Sequence, residues 1–185
     1  MEIFRHNDIK NLVHVVKNGG IIIYPTDTIW GLGCNALNQN ATIKLKQMKG
    51  KPADAALIWL LPSVAAVEKF CGSVSATEKR LLKRKHTSVI IHNQAVRVVR
   101  SGWLNRFLTV CAVPLVATSA NLHGQSVITS WHQAVQLFNS QTDAVVRGRK
   151  IYQHTPSTLI KVDNSANPPK IQVLRAGAGN IKQSQ

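Results

Sequence analysis

Carboxylates are what this chain has least of. Eight Asp and Glu stand against 23 Lys and Arg in 185 residues, a formal charge of +15, and residues 79–142 contain no carboxylate at all. So few leave little material for an all-protein magnesium or calcium cage. The seven histidines show no HxxxH spacing, so no metal ligands are assigned and any divalent ion is expected to arrive on phosphates. Cys34, Cys71 and Cys111 are odd in number, widely spaced and outside any CxxC, which supports neither a disulfide framework nor a zinc site. No apolar run approaches the roughly 20 residues that cross a bilayer, and residues 1–6 lack the basic and apolar regions of a secretion signal. A cytosolic protein with free thiols and no membrane partner is expected. Repeats, low-complexity tracts and linkers are missing too, so one domain over residues 1–185 is expected, with 177–185 as a polar, frayed tail.

What is present is an ordinary globular composition, 44% hydrophobic and 17% charged, with an excess of cations that points to anionic partners. Ile9, Leu12, Val13 and Val16 fall at helical spacing, and Asn18-Gly19-Gly20 supplies a stop. Residues 21–24 read as a buried strand. A helix over 40–49 and a strand over 56–61 follow, the latter apolar enough for burial on both faces. Ser75 with Glu78 forms a capping box for a helix running through Leu82 into Lys83-Arg84-Lys85. Strands are predicted at 88–92, 95–99 and 114–118, helices around 103–108 and over 129–138, and further strands at 144–147, 158–162 and 171–174. The alternation predicts an α/β domain, and the strands clustered at the C-terminal end predict a mixed sheet.

Four segments put polar or cationic side chains where strands and helices end, the places where α/β proteins build sites. Tyr24-Pro25-Thr26-Asp27-Thr28-Ile29-Trp30-Gly31-Leu32-Gly33 is a strand entering a proline-fixed turn, with hydroxyls and glycines that let a ligand approach the backbone. Lys49-Gly50-Lys51-Pro52 sets two ammonium groups at a helix end. They either compensate the helix dipole or grip a polyphosphate, and the GxxxxGK[ST] spacing of a P-loop is absent. Thr118-Ser119-Ala120-Asn121, preceding Gly124 and Thr129, is by itself a structural turn or a set of oxyanion donors. Pro156-Ser157-Thr158 precedes an apolar run ending at Arg175.

In this order, YPTDTxxGLG, KxKP, TSAN and PST with a late Arg, the chain resembles the threonylcarbamoyl-AMP synthase (YrdC-like) family from about Gly19 to Arg175, in a short single-domain form. The resemblance implies a twisted mixed sheet, parallel and antiparallel, with helices around a deep basic cavity. It also implies that Thr28, Ser119 and Ser157 hold threonine, and that Lys49, Lys51, Ser88, Asn121, Thr129 and Arg175 surround ATP, with Lys49 and Lys51 catalytic. Arg97 matches an arginine usual in the family. Three departures stand out: Lys51 replaces the usual Arg of KxR, the WPGPxT segment is reduced to Arg84-Lys85-His86-Thr87-Ser88, and Leu60 stands where many members carry histidine.

The implied reaction joins L-threonine and bicarbonate, or carbon dioxide, into a carbamate that attacks the α-phosphorus of ATP and expels pyrophosphate. Magnesium, Mg2+, would travel on the ATP phosphates. No Ser-His-Asp triad is needed, because the nucleophile is already an anion. The family passes the product to a separate threonylcarbamoyl transferase complex that modifies tRNA. Two alternatives stay open: a basic module binding tRNA or double-stranded RNA without adenylate synthesis, and a carbamoyl-adenylate enzyme with another acceptor.

Overall fold

The computed structural model describes residues 1–52, 54–122, 125–151 and 155–180. Local signals set most of its elements. Helix α1 (Ile9–Lys17) buries Leu12, Val13 and Val16 and stops at Gly19, whose φ of 84° lies where glycine has no steric penalty. Strand β2 (Ile22–Pro25) is buried throughout. Helix α2 (Gln39–Met48) is capped by the Asn38 side chain, and β4 (Ile58–Leu61) follows it. In α4 (Ala76–Leu82) the capping box is present in full: the Ser75 amide donates to Glu78 at 2.8 Å, and the Glu78 amide donates to Ser75 Oγ at 3.3 Å. Strands β5 (Thr87–Ile91) and β6 (Gln94–Val98), helix α5 (Gly102–Cys111), strand β7 (Leu115–Ser119) and helix α6 (Trp131–Phe138) lie within three residues of expectation. So do β8 (Ala144–Val146), β9 (Thr158–Asp163) and β10 (Lys170–Arg175).

Three elements escape the sequence reading: β1 (Glu2–Phe4), β3 (Trp30–Gly33) and α3 (Val64–Cys71). The segment after Tyr24 is not a strand exit. It is a hairpin in which β2 and β3 pair antiparallel, Tyr24 opposite Gly31. Glycine is a poor strand former, but here it is required. The Tyr24 ring lies over β3, so a Cβ on Gly33 would meet the Val116 carbonyl oxygen and stand 2.9 Å from that ring.

All ten strands share one sheet in the order β1-β8-β2-β3-β7-β4-β6-β5-β9-β10. Pairs β1/β8, β2/β8, β4/β6 and β5/β9 are parallel and the other five antiparallel, the mixed sheet expected. Helices α1 and α5 pack with Ile22, Tyr24, Leu60 and Leu115, while α2 and α6 pack with Ile21, Ile23, Leu32 and Val145. Alternate residues of β2 thus point to opposite cores, as the strand period of two demands. A third core joins α3 and α4 to β5, β6 and β9.

The tail expected to fray from Gly177 is in fact held as far as Asn180. The Ala178 amide donates to the Pro156 carbonyl at 2.8 Å, Gly179 exchanges hydrogen bonds with Thr158 Oγ1, and Arg84 donates to the Asn180 carbonyl at 3.1 Å. Residues 181–185, together with Ala53 after the KxKP segment and Gly124 after TSAN, lie outside the described residues.

Candidate functional site

A cavity of about 310 Å³ opens against the face of the sheet that carries Gly31, Ala95 and Ala117. These three small residues leave space above the strands that larger side chains would fill. Around it stand Thr28 from the β2/β3 turn, Lys51 from the segment after α2, Ser119 from the end of β7, Ser157 from the start of β9 and Arg175 from the end of β10. Five of the residues named from sequence thus come together from segments spread over most of the chain. Ile58 and Leu60 supply an apolar wall, so the position where many relatives carry histidine is an aliphatic contact here.

Three named residues stand behind the lining. Lys49 is 4% exposed, and its ammonium donates to the Ser119 carbonyl at 2.9 Å, to Asn121 Oδ1 at 2.6 Å and to the Asn121 carbonyl. Asn121 in turn accepts from Ser119 Oγ at 2.7 Å and donates to the Gln125 carbonyl at 2.6 Å. The Lys49 charge is therefore spent on the turn that presents Ser119. Neither Lys49 nor Asn121 borders the cavity among the described residues. Ser88 is fully buried, its Oγ 2.8 Å from Ser157 Oγ, so it orients a lining residue instead of forming part of the lining. Thr129 stands apart: its carbonyl accepts from Trp30 Nε1 at 3.1 Å and its hydroxyl donates to Gln133 Oε1 at 3.1 Å. The spacing of Lys49 and Lys51 had suggested a matched pair of phosphate contacts. The intervening Gly50, at φ 60°, turns the chain so that only Lys51 reaches the cavity.

The electrostatics fit an anionic ligand. Among the described residues, the lining holds Lys51, Arg97 and Arg175 and no carboxylate. Burial lowers the pKa of Lys51, and the charges of Arg175 and Lys46 add to the shift. Burial also lowers that of Arg175, whose Nη2 donates to the Ser157 carbonyl at 2.9 Å. Lys49 is pushed down to about 8, by burial first and by Lys51 second, while its three oxygen partners act in the opposite sense. A bound polyanion would relieve the repulsion between Lys51 and Arg175.

Two lining residues carried no assigned role in the sequence. Tyr24 is fully buried, burial raises its pKa, and its hydroxyl has no hydrogen-bond partner among the described residues. Arg97, 7% exposed, places Nη1 3.4 Å from Thr28 Oγ1 and Nη2 2.5 Å from Asp27 Oδ1. The signals for Arg97 were its match to an arginine usual in the family and its place as a lone charge among Ala95, Val96 and Val98. No group of His, Cys, Asp and Glu side chains that could hold a metal ion occurs among the described residues. None of their helices is long and apolar enough to cross a membrane.

A mixed sheet, with hydroxyls and cations brought to one cavity, defines an α/β domain. Residues 14–177 match the model of the Sua5/YciO/YrdC family, which carries the description "Telomere recombination". The chain belongs to that family. Curated relatives include the threonylcarbamoyl-AMP synthase of Stutzerimonas stutzeri, 29% identical over 173 residues, covering 82% of this chain and 90% of the relative. That of Pyrococcus abyssi is 28% identical over 179 residues, covering 88% of this chain, which spans about half (52%) of that relative's length. Among solved structures, E. coli YciO has a TM-score of 0.83 at 21% identity and 98% coverage of both chains. P. abyssi Sua5 complexed with L-threonine has a TM-score of 0.82 at 24% identity, over 95% of this chain and 57% of that one. The two structures share the fold of this chain.

Proposed function

We propose that the chain is a threonylcarbamoyl-AMP synthase, making threonylcarbamoyl-AMP and pyrophosphate from L-threonine, bicarbonate or carbon dioxide, and ATP, for the threonylcarbamoyladenosine of tRNA. One observation carries the reading: three hydroxyls, Thr28, Ser119 and Ser157, share a cavity with Lys51 and Arg175 that no carboxylate lines among the described residues. Threonine occupies the hydroxyl-lined end, where Arg97 beside Thr28 offers a guanidinium to its carboxylate. The amine and bicarbonate condense to a carbamate with loss of water. A carbamate oxygen then bonds to the α-phosphorus of ATP, and the bond from that phosphorus to the bridging oxygen breaks, releasing pyrophosphate. Lys51 and Arg175 neutralise the phosphates during this displacement, and positioning of two anions is the main catalytic task. Lys49 with Asn121, and Ser88, serve one step back by fixing Ser119 and Ser157. Magnesium is a companion of ATP, held by phosphate oxygens. A cytoplasmic setting, where ATP and tRNA meet, belongs to the same reading, as does a separate transferase complex that takes up the product.

The test is pyrophosphate release from ATP that requires both threonine and bicarbonate. Release with another carbamate acceptor in place of threonine would favour a carbamoyl-adenylate enzyme of different specificity. No release with any amino acid, while RNA is still bound, would favour the RNA-binding module. Weak binding of tRNA or double-stranded RNA belongs to both readings and rests on the exposed cluster Lys83, Arg84 and Lys85. Lys79, whose ammonium pairs with Glu68 at 2.7 Å, contributes less. Filter binding should show affinity falling steeply with salt. Affinity that ignores salt, or survives alanine at all three positions, would remove RNA from the partners.

A further inference from the structure

The cavity has a neighbour. A second space of about 640 Å³ lies beyond the end of β2, bordered by Asp27, Arg84, Lys85, His86 and Arg100, and it shares Thr26 and Arg97 with the first. Arg97 therefore sits in the wall between two solvent-sized spaces. A long side chain in that position has room to swing either way, and something must decide where its guanidinium points.

Asp27 is placed to decide it. Its Oδ1 accepts from Arg97 Nη2 at 2.5 Å, while its Oδ2 lies 3.3 Å from His86 Nε2. Both oxygens are thus engaged by groups from two different elements, although the side chain is 54% exposed. Arg97 holds one oxygen by a hydrogen bond, and the His86 ring stands against the other, where it limits rotation of the carboxylate. His86 is itself fixed. It takes φ 55°, a left-handed conformation uncommon outside glycine, and its carbonyl accepts from the Thr158 amide at 2.9 Å. That amide belongs to the residue after Ser157, so the chain His86, Asp27, Arg97 ties the β9 side of the cavity to β6 and to the β2/β3 turn that carries Thr28.

We propose that Asp27 is a positioning residue for the amino-acid substrate, acting through Arg97, with His86 holding Asp27 in turn. The pair fixes one edge of the guanidinium against Asp27 and Thr28 and leaves the remaining donors of its planar fork for the substrate carboxylate. Asp27 does not touch substrate. Without its charge, Arg97 keeps its own charge but loses its direction, and the fork is no longer preorganised.

This inference rests on the synthase reading, and the experiment separates the two. Threonine binding is measured by calorimetry, and the KM values for threonine and ATP by pyrophosphate release, for wild type, Asp27→Asn, Asp27→Glu, Arg97→Lys and the Asp27→Asn/Arg97→Lys double variant, with thermal unfolding of each. Asp27→Asn should weaken threonine about tenfold, with the KM for ATP changed less than about twofold. Asp27→Glu should recover part of the loss. In the double variant, Asp27→Asn should add almost nothing to the effect of Arg97→Lys, because its route to the substrate has gone. Wild type that binds threonine while Asp27→Asn binds it equally well overturns the positioning role alone. Full additivity in the double variant, or equal losses for threonine and ATP accompanied by lower thermal stability, overturns it too. Wild type that binds no threonine at all overturns the synthase reading and this inference with it.

Discussion

Replacing Lys49 by methionine would test what the buried ammonium is for. The two side chains are close in length and volume, so the change removes the charge and its hydrogen bonds while leaving little void. Lys49 donates to three oxygens of Ser119 and Asn121. Hydrogen bonds from a charged donor contribute about 1.5–3 kcal/mol each, and each buried acceptor left unsatisfied costs about 1–3 kcal/mol. Simple addition overstates the loss. The three bonds share one donor, and removing the ammonium also relieves the burial that pushes its pKa down to about 8. A net destabilisation of about 2–4 kcal/mol is expected, a large part of the ~5–15 kcal/mol available to a domain of this size. Urea unfolding of the ligand-free protein measures it.

The sign of the pH dependence gives a second reading from the same pair of proteins. With a folded-state pKa of about 8 against 10.5, the unfolded chain holds a proton that the folded chain lacks between those values, so this group makes stability rise with pH across that window. The stability difference, wild type minus variant, should be flat below pH 8 and grow between pH 8 and 10.5. A difference that shrinks with rising pH would instead show that the three oxygens outweigh burial at the ammonium. A Lys49→Met protein within about 0.5 kcal/mol of wild type would refute the structural role. Lys49 would then be a substrate contact, as the sequence alone suggested.

Lys51 is the cation that does border the cavity, so Lys51→Ala should raise the KM for ATP by about 10 to 150-fold, the loss of one charge-assisted contact. Lys51→Arg should retain activity, and steady-state pyrophosphate release compares the two; a fully active alanine variant would leave Lys51 as a helix-end charge. The Tyr24 hydroxyl has no partner among the described residues, so Tyr24→Phe should leave unfolding free energy unchanged or higher. A loss above about 2 kcal/mol in urea unfolding would reveal a hydrogen bond that the structure does not contain.

The helices with a cap and an apolar stripe were legible because both signals are local: Gly19 ends α1, and Ser75 with Glu78 opens α4. Helix α3 carried only part of that signal: Ser63 caps its start and Gly72 at φ 87° closes it, but Ala66 stands where α4 has the Glu78 that completes a capping box. Strand β3 was illegible for another reason. Its glycines are there for the Tyr24 ring that lies on them, a tertiary demand that no local propensity reports. The site divides in the same way. Thr28, Ser119 and Ser157 were named through the family resemblance of their segments, and all three line the cavity. Whether a lysine faces a ligand or its own backbone depends on one turn at Gly50 and on a partner some 70 residues away.

Arg175 closes the cavity from the last strand of the sheet, and β10 pairs with β9 alone. On the ribosome, every other wall is made before this one. A nascent chain carrying Thr28, Lys51, Ser119 and Ser157 still lacks one of its three cavity cations until β10 has emerged and joined the edge. Substrate affinity should therefore arrive late and all at once, and bound ATP would act as a clasp on the edge strand of the finished protein, slowing its release from the sheet.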